Sequence, residues 1–285
     1  MVSSLHVRLN TLLLVLLVAM AGAIIALLAS RAYGGPLDPT TSPGSTDGVR
    51  EPGTPILSIP ITITQPGYYY LTHNLTASAD NQNGITIDSD YVTLDLKGFT
   101  LTGSNRTGVG IGAVNHARQL SVINGNIVRW ATGVDGLLAA YAEFDHLRAG
   151  DNLTGMTIFF STVHDCSIVE NNTVGIVLSY STIRGCQITA NSFNGISATG
   201  ASLIEGNRFE ANSQGSTGFA DIDITGNDNV IQDNTSRTAP GAFVRLETGA
   251  ASNAIMRNRY QCSLGVVTNA QFNYIPTTVY PNFCF

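Results

Sequence analysis

The sequence has little charge, a single lysine and a single tryptophan. Only 12% of its 285 residues are charged, and Lys97 is the one lysine among 14 basic residues. Coiled coils and helical bundles are rich in Glu, Lys, Leu and Ala, so this composition argues against both. The sequence also lacks a basic run and any interleaving of basic with aromatic residues, which argues against a nucleic-acid partner.

One long apolar run is present at the N-terminus, at residues 11–29. It is longer than the core of an ordinary signal peptide and close to the length that spans a bilayer. Ser30 and Ala32 suit a signal peptidase, so cleavage and retention as a membrane anchor both remain open. We therefore predict residues 1–32 as a signal peptide or signal anchor, followed by a Pro/Gly/Ser/Thr-rich linker at 33–55. Either outcome exports the remaining chain, as a secreted or surface-anchored protein.

Glycine is abundant and recurs at a regular interval. From residue 84 onward, a step of glycine or another small or polar residue followed by an apolar one returns every 20 to 26 residues. This period is typical of solenoids, and the leucine-rich and propeller signatures are missing. The apolar members of the steps are Ile85, Ile111, Val134, Met156, Ile176, Ile196, Ile222, Phe243 and Val266.

Each repeat contains short stretches in which apolar and polar residues alternate, separated by Gly, Asn, Asp or Ser. Alternation with period two indicates half-buried strands, and the separating residues indicate turns. About three strands per repeat, without a helix, predict an all-β parallel β-helix whose coils stack about 5 Å apart. We expect about nine coils over 84–270, an N-terminal cap at 56–83 and a C-terminal cap at 271–285.

The stretches ITITQPGYYYLTHNLT (61–76) and NGITIDSDYVTLDLKGFTLTG (83–103), followed by repeats such as CQITANSFNGI (186–196), carry a family resemblance. Residues 56–270 resemble exported bacterial right-handed parallel β-helix proteins, which are similar in fold to pectate lyases, polygalacturonases and alginate epimerases. The resemblance implies right-handed winding and a protein that binds or processes extracellular polysaccharide. The alternative is a non-catalytic surface or adhesion module, because a fold does not determine an activity.

The motifs of two of these enzyme classes are absent. The sequence has no Asn-Thr-Asp, Asp-Asp or Gly-His-Gly of polygalacturonases and no Asp-Pro-His of alginate epimerases. If the protein is an enzyme, the resemblance therefore implies a uronate lyase of pectate-lyase type. Such a lyase needs carboxylates that hold calcium and an Arg or Lys that takes the proton. The arginine-proline signature of those lyases is missing, which favours the non-catalytic alternative.

Alignment of the coils predicts two outward columns of polar residues that flank a bend. One column holds Asp145, His164, Arg184, Glu205 and Gln232; the other holds Arg148, Ser167, Gln187, Arg208 and Thr235; His146, Asp165 and Gly185 lie at the bend. Three interpretations stay open. The columns are ladders of surface ion pairs, which contribute little, or a saccharide groove, or a catalytic centre.

The catalytic interpretation assigns a role to each charged residue. Arg184 is the base, with His146 and His164 as further catalytic candidates. The calcium ligands are Asp165 and Glu205. The remaining members, Asp145, Arg148 and Arg208, contact the saccharide.

Other polar residues are predicted to be structural. Asn152, Asn172, Asn191 and Asn212 recur before the Gly-apolar step and form a ladder that satisfies backbone groups. Asp221 and Asp223 alternate with isoleucines, so both are expected to face outward on one strand.

The four cysteines are too far apart in sequence for a zinc knuckle. Export permits disulfides, and Cys262 with Cys284 is a candidate that would fasten the tail. Cys166 and Cys186 are one coil apart, so they form either a disulfide or a ladder of free buried thiols. We expect a monomer.

Overall fold

The computed structural model describes residues 53–213, 218–237, 241–261, 263, 265–268, 273, 275 and 281–285. The regular elements in these residues are all β-strands. The described residues contain no helix that is long and apolar enough to cross a membrane. The predicted signal segment 1–32 and most of the predicted linker lie outside the described residues.

The first fourteen strands are β1 (Thr54–Ile56), β2 (Ile61–Ile63), β3 (Gly67–Leu71), β4 (Leu75–Thr76), β5 (Ile85–Ile87), β6 (Val92–Asp95), β7 (Thr100–Thr102), β8 (Val109–Ala113), β9 (Ser121–Val128), β10 (Thr132–Gly136), β11 (Glu143–Gly150), β12 (Thr154–Phe159), β13 (Thr162–His164) and β14 (Ser167–Val169). The second fourteen are β15 (Ile176–Ser179), β16 (Thr182–Arg184), β17 (Gln187–Thr189), β18 (Ile196–Ala198), β19 (Leu203–Glu205), β20 (Arg208–Glu210), β21 (Ala220–Ile224), β22 (Val230–Gln232), β23 (Thr235–Arg237), β24 (Ala242–Leu246), β25 (Ala254–Met256), β26 (Arg259–Tyr260), β27 (Val266–Thr268) and β28 (Phe283–Cys284).

These strands stack in parallel on three faces, so the predicted parallel β-helix is confirmed. Face 1 contains β1, β3, β6, β13, β16, β19, β22 and β25, and face 2 contains β4, β7, β14, β17, β20, β23, β26 and β28. The eight-residue strands β9 and β11 run around the bend between these two faces and belong to both. Face 3 is the ten-stranded sheet that starts with β2 and ends with β27.

The core follows from the alternation of side chains along each strand. On face 3 one register column runs from Ile85 through Ile111, Val134, Met156 and Ile176 and is almost completely buried. Such columns repeat on the other two faces, and each buried aliphatic side chain contributes roughly 1.5–3 kcal/mol. The solenoid is thus held together by ladders of like residues.

The Gly-apolar step is explained by crowding between coils. A Cβ atom at Gly175 would lie 2.5 Å from the carbonyl oxygen of Gly195 and 2.9 Å from the side-chain nitrogen of Asn191. These contacts are closer than non-bonded atoms tolerate, so the coil that contains residue 175 requires glycine where it turns into face 3.

The predicted asparagine ladder exists, with one correction. Its members are Asn152, Asn171, Asn191 and Asn212, whereas Asn172 is exposed. The backbone N–H of each of the first three donates to the side-chain oxygen of the next at 3.1 Å. Asn172 is the sequence neighbour of Asn171, but of the two only Asn171 is buried in the solenoid.

The Gly-apolar alignment fails by one residue near the C-terminal end. Ile222 pairs with Val244, which pairs with Val266, so Val244 and not Phe243 belongs to the column. The position one residue earlier is the crowded glycine position, and Asp221 and Phe243 occupy it in their coils. Both side chains are buried, because this position faces the interior.

The expectation that both aspartates face outward was therefore wrong for Asp221, whereas Asp223 lies in the outward column of Ser197 and Arg245 but is covered there. Asp221 is 0% exposed and accepts hydrogen bonds from Asn212 Nδ2, at 2.8 Å, and from Ser236 Oγ. Burial raises its pKa to about 7, against the two hydrogen bonds. Asp223 lies below Arg245 in the register and is only 8% exposed. Its pKa is raised to about 6, mainly by burial.

The ends of the solenoid differ in detail from the predicted caps. Residues 56–83 contribute β2, β3 and β4, which pair in register with β5, β6 and β7, so this segment is itself a coil. β1 begins within the predicted linker and pairs with β3. In the C-terminal tail, β28 pairs with β26, and Cys284 is disulfide-bonded. Cys262, its predicted partner, lies outside the described residues.

Candidate functional site

The predicted outward columns are present in the strand register. Asp145, His164, Arg184, Glu205 and Gln232 occupy successive positions on face 1. The second column, on face 2, is Arg148, Ser167, Gln187, Arg208 and Thr235. Between the faces, His146, Asp165 and Gly185 all have left-handed backbone conformations, with φ of 51°, 52° and 64°. Gly, Asn and Asp adopt this conformation most readily, so the bend selects short or permissive residues.

His164 is the centre of the charged cluster on these columns. Its Nε2 lies 2.7 Å from Glu143 Oε1, and its Nδ1 lies 3.0 Å from Asp145 Oδ1 and 3.2 Å from Asp165 Oδ2. The side chain is only 16% exposed, whereas Glu143 and Asp165 are more than half exposed. His146, at the bend, places its Nδ1 2.5 Å from the same Asp145 oxygen. Both predicted histidines therefore meet at Asp145.

Burial and neighbouring carboxylates act in opposite directions on His164. Partial burial is the largest single influence and lowers the pKa. The hydrogen bonds to Glu143 and Asp165, with the charge of Asp145, together outweigh it and raise the pKa of His164 above its ordinary value. The cluster thus favours a positive charge at the position of the imidazole.

The three arginines predicted for the site differ in whether they form an ion pair. Arg148 lies 3.5 Å from Glu170, and Arg208 lies 2.6 Å from Glu210, both at the surface. The first pair joins neighbouring coils and the second lies within β20, and exposed ion pairs of either kind contribute little to stability. Arg184 is exposed and makes no ion pair with any residue in the described part of the chain. It is the predicted site arginine that remains available to a ligand.

The two predicted calcium ligands are not brought together. Asp165 belongs to the coil of His164, whereas Glu205 lies two coils further along, with Arg184 between them in the register. Two coil spacings are about 9.6 Å, and Glu205 accepts a hydrogen bond from Gln232 at 2.9 Å, on the side away from Asp165. Asp165 instead groups with Asp145 and His164.

A groove opens beside the cluster, at the corner between faces 3 and 1. It has a volume of about 440 Å³, and Glu143 and Arg184 line it together with three aromatic residues. These are Tyr141, Phe160 and Tyr180, which are 71%, 45% and 50% exposed. The rings of Phe160 and Tyr180 stack with centroids 5.0 Å apart. Exposed aromatic side chains that lie together on a protein surface indicate a contact surface.

No family model matches the chain, and no curated protein matches it. Among solved structures it is similar to the Dettilon tailspike protein, with a TM-score of 0.49 and 10% identity, covering 81% of this chain and 63% of that one. It is also similar to the A-module of the mannuronan C-5 epimerase AlgE6 of Azotobacter vinelandii, with a TM-score of 0.44, 10% identity and coverage of 82% and 88%. An alginate lyase from Paenibacillus has a TM-score of 0.40, 14% identity and coverage of 65% and 70%. These likenesses concern the fold alone.

The aromatic column was missed in the sequence, although a signal for it exists. Tyr141, Phe160 and Tyr180 are 19 and 20 residues apart, which is one coil, and each stands two residues before a face 1 strand. All three have left-handed φ values of 58°, 45° and 50°. Aromatic residues rarely adopt this conformation, so nothing in the local sequence predicts that they lie at a corner.

Cys166 and Cys186 are free, buried thiols in the structure, which corrects the disulfide alternative. Each sulfur is directed at a backbone carbonyl of the preceding coil. Cys166 Sγ lies 3.5 Å from the oxygen of Phe144, and Cys186 Sγ lies 3.9 Å from that of Val163 and 3.3 Å from that of Arg184 in its own coil. The hydrogen bond with the Cys186 sulfur, followed by burial, raises the pKa of the Cys166 thiol. The pair is therefore part of the core and not of the candidate site.

Proposed function

We propose that the protein binds an extended, carboxylate-bearing polysaccharide along the corner that carries Tyr141, Phe160 and Tyr180. The exposed aromatic column is the observation that carries this proposal. The apolar faces of sugar rings pack on aromatic side chains, while hydroxyl groups at the ring edges need polar partners. Thr162 and Thr182 provide such partners in the same groove.

The length of the groove supports a polymeric ligand. Tyr180 also lines a second, polar groove of about 310 Å³ that continues past Ala201 and Asp228 to Gly249. The two grooves follow the solenoid axis across successive coils. A ligand with a repeating unit can make the same contact in coil after coil, which a small molecule cannot.

Arg184 supports the preference for acidic sugars. A guanidinium binds a carboxylate through two parallel hydrogen bonds, and Arg184 lines the aromatic groove without an ion-pair partner in the described residues. A uronate ring on Phe160 or Tyr180 would thus find its charge complement at the groove edge.

Binding of uronate and neutral glycans to the full chain, measured by calorimetry and affinity electrophoresis, tests this proposal. We expect Tyr180→Ala and Phe160→Ala each to weaken binding about tenfold, since truncation of an aromatic anchor typically costs more than 1 kcal/mol. Arg184→Gln should reduce the preference for uronate glycans. Phe193→Ala is the matched control, because Phe193 is a partly exposed aromatic residue at a different corner.

Two outcomes would contradict the proposal: no glycan bound by the wild-type chain, or equal affinities of the Tyr180 and Phe193 variants. The first outcome would favour a surface module without saccharide ligands. Absorbance from unsaturated products, followed in the same samples, tests the lyase hypothesis separately.

A further inference from the structure

The cluster around His164 has the composition of a transition-metal site. Saccharide binding at the aromatic corner does not require such a cluster. We propose that His164 Nδ1, Asp145 Oδ1 and Asp165 Oδ2 bind a divalent first-row transition ion of the zinc type. These three atoms lie within 4.8 Å of one another. They come from β11, β13 and the bend that follows β13, so the stacked coils hold them together.

The two separations from the imidazole nitrogen are those of ligands around one ion. Nδ1 lies 3.0 Å from the Asp145 oxygen and 3.2 Å from the Asp165 oxygen. Ligand atoms bound at about 2.1 Å, with tetrahedral or octahedral angles, are about 3.0–3.4 Å apart. Nδ1 and each aspartate oxygen are therefore already spaced as two ligands of one ion, and the ligand atoms of the three residues all lie within 4.8 Å of one another.

Hydrogen bonding alone satisfies this arrangement poorly. An imidazole nitrogen carries at most one proton, so Nδ1 cannot make two good hydrogen bonds to the two aspartate oxygens. An ion in place of that proton contacts both oxygens and the nitrogen lone pair at once.

Glu143 completes the pattern on the other side of the ring. A histidine that binds a metal through one nitrogen almost always donates its other N–H to a carboxylate, a carbonyl or water, which orients the ring. Nε2 of His164 lies 2.7 Å from Glu143 Oε1. Glu143 would thus keep the proton on Nε2 and leave Nδ1 directed at the aspartates.

Charge and ligand type indicate which ion is bound. Glu143, Asp145 and Asp165 place three carboxylates around the His164 imidazole, and Arg184 in the next coil offsets only one of their charges. The second imidazole of the cluster, His146, contacts Asp145 Oδ1 through its Nδ1. Calcium takes oxygen ligands, whereas imidazole with carboxylates suits zinc and its first-row neighbours. The site therefore differs from the calcium site predicted with Glu205. Asp165 also lines a groove of about 380 Å³, from which water can complete the coordination.

Titration of the untagged, chelator-treated full chain with Zn²⁺ by calorimetry, and with Co²⁺ by visible absorption, tests the site. We expect one ion per chain and cobalt absorption bands that Zn²⁺ abolishes. His164→Ala and Asp165→Asn should each weaken Zn²⁺ binding at least about tenfold, and Glu143→Gln about tenfold. Asn tolerates the left-handed conformation of Asp165, so that variant retains the bend. His116→Ala is the control, because His116 is exposed and lies outside the cluster.

Three results would each overturn the proposal. They are an absence of Zn²⁺ binding by the wild-type chain, affinities that are equal in the His164 and His116 variants, and displacement of Zn²⁺ by a modest excess of Ca²⁺. Circular dichroism of every variant confirms that the fold is retained. The test does not depend on saccharide binding, because none of the aromatic groove residues is a ligand.

Discussion

Replacement of Asp221 by Asn should stabilise the protein more at alkaline pH than at pH 5. The carboxyl group is fully buried, and its hydrogen-bond partners, Asn212 and Ser236, are neutral. Nothing in these contacts supplies a positive charge to offset ionisation. An Asn side chain has nearly the same shape and retains an oxygen that accepts from Asn212.

The size of the effect follows from the pKa. The pKa of Asp221 is raised from 3.8 to about 7 by burial, so the folded state holds a proton that the unfolded state has released. Stability therefore falls as pH rises from about 4 to about 7 and is level above that. Between pH 5 and pH 7 the loss is about 1.4 kcal/mol for each pH unit, or about 3 kcal/mol in total.

Urea unfolding of wild type and Asp221→Asn, followed by circular dichroism at pH 5 and pH 8, measures this difference. Other groups also titrate, but they do so in both proteins. The difference in unfolding free energy between the two proteins, compared at pH 5 and pH 8, therefore reports on Asp221 alone. Asp228→Asn is the control, because Asp228 is exposed in a neighbouring turn. The reasoning is refuted if the difference between wild type and Asp221→Asn is the same at both pH values, or if the variant is the less stable protein at pH 8.

Two further predictions concern the core. Asn191→Ala should lower the free energy of unfolding by a few kcal/mol, since it leaves buried backbone groups unpaired. Asn172→Ala, at an exposed position, should change the free energy of unfolding by less than about 0.5 kcal/mol. Comparison of the urea midpoints checks both values, and equal effects of the two substitutions would contradict the ladder. Cys166 and Cys186 should resist alkylation in the native protein and should react once the protein is unfolded without reductant. Peptide mapping by mass spectrometry detects the alkylated cysteines. A disulfide between the two cysteines, or rapid alkylation of the native protein, would contradict the assignment of buried free thiols.

The winding of the chain was predictable because it depends on short-range periodicity. Alternation along a strand determines which side chains face inward, and a coil of about 20 residues brings like positions into register, as Cys166 and Cys186 illustrate. The outward columns with Asp145, His164 and Arg184 followed from the same alignment. Errors arose where a coil departs from the pattern, at Phe243 and at Asn172.

The candidate site was predictable only in part. The sequence placed Asp145, His146, His164 and Asp165 near one bend, but not which atoms meet. That His164 lies among three carboxylates depends on side-chain directions at the bend, where left-handed residues interrupt the alternation of the strands.

The solenoid, its three strands per coil and the columns that line its core could be predicted from the residues alone, because these features rest on patterns that repeat within and between neighbouring coils. Tertiary structure decided the inward direction of Asp221, the aromatic corner of Tyr141, Phe160 and Tyr180, and the grouping of Asp165 with His164 in place of Glu205. In each of these cases the side chain lies at a corner or at the crowded glycine position. There the backbone conformation and the space left by the adjacent coils, and not the alternation along a strand, determine where a side chain points.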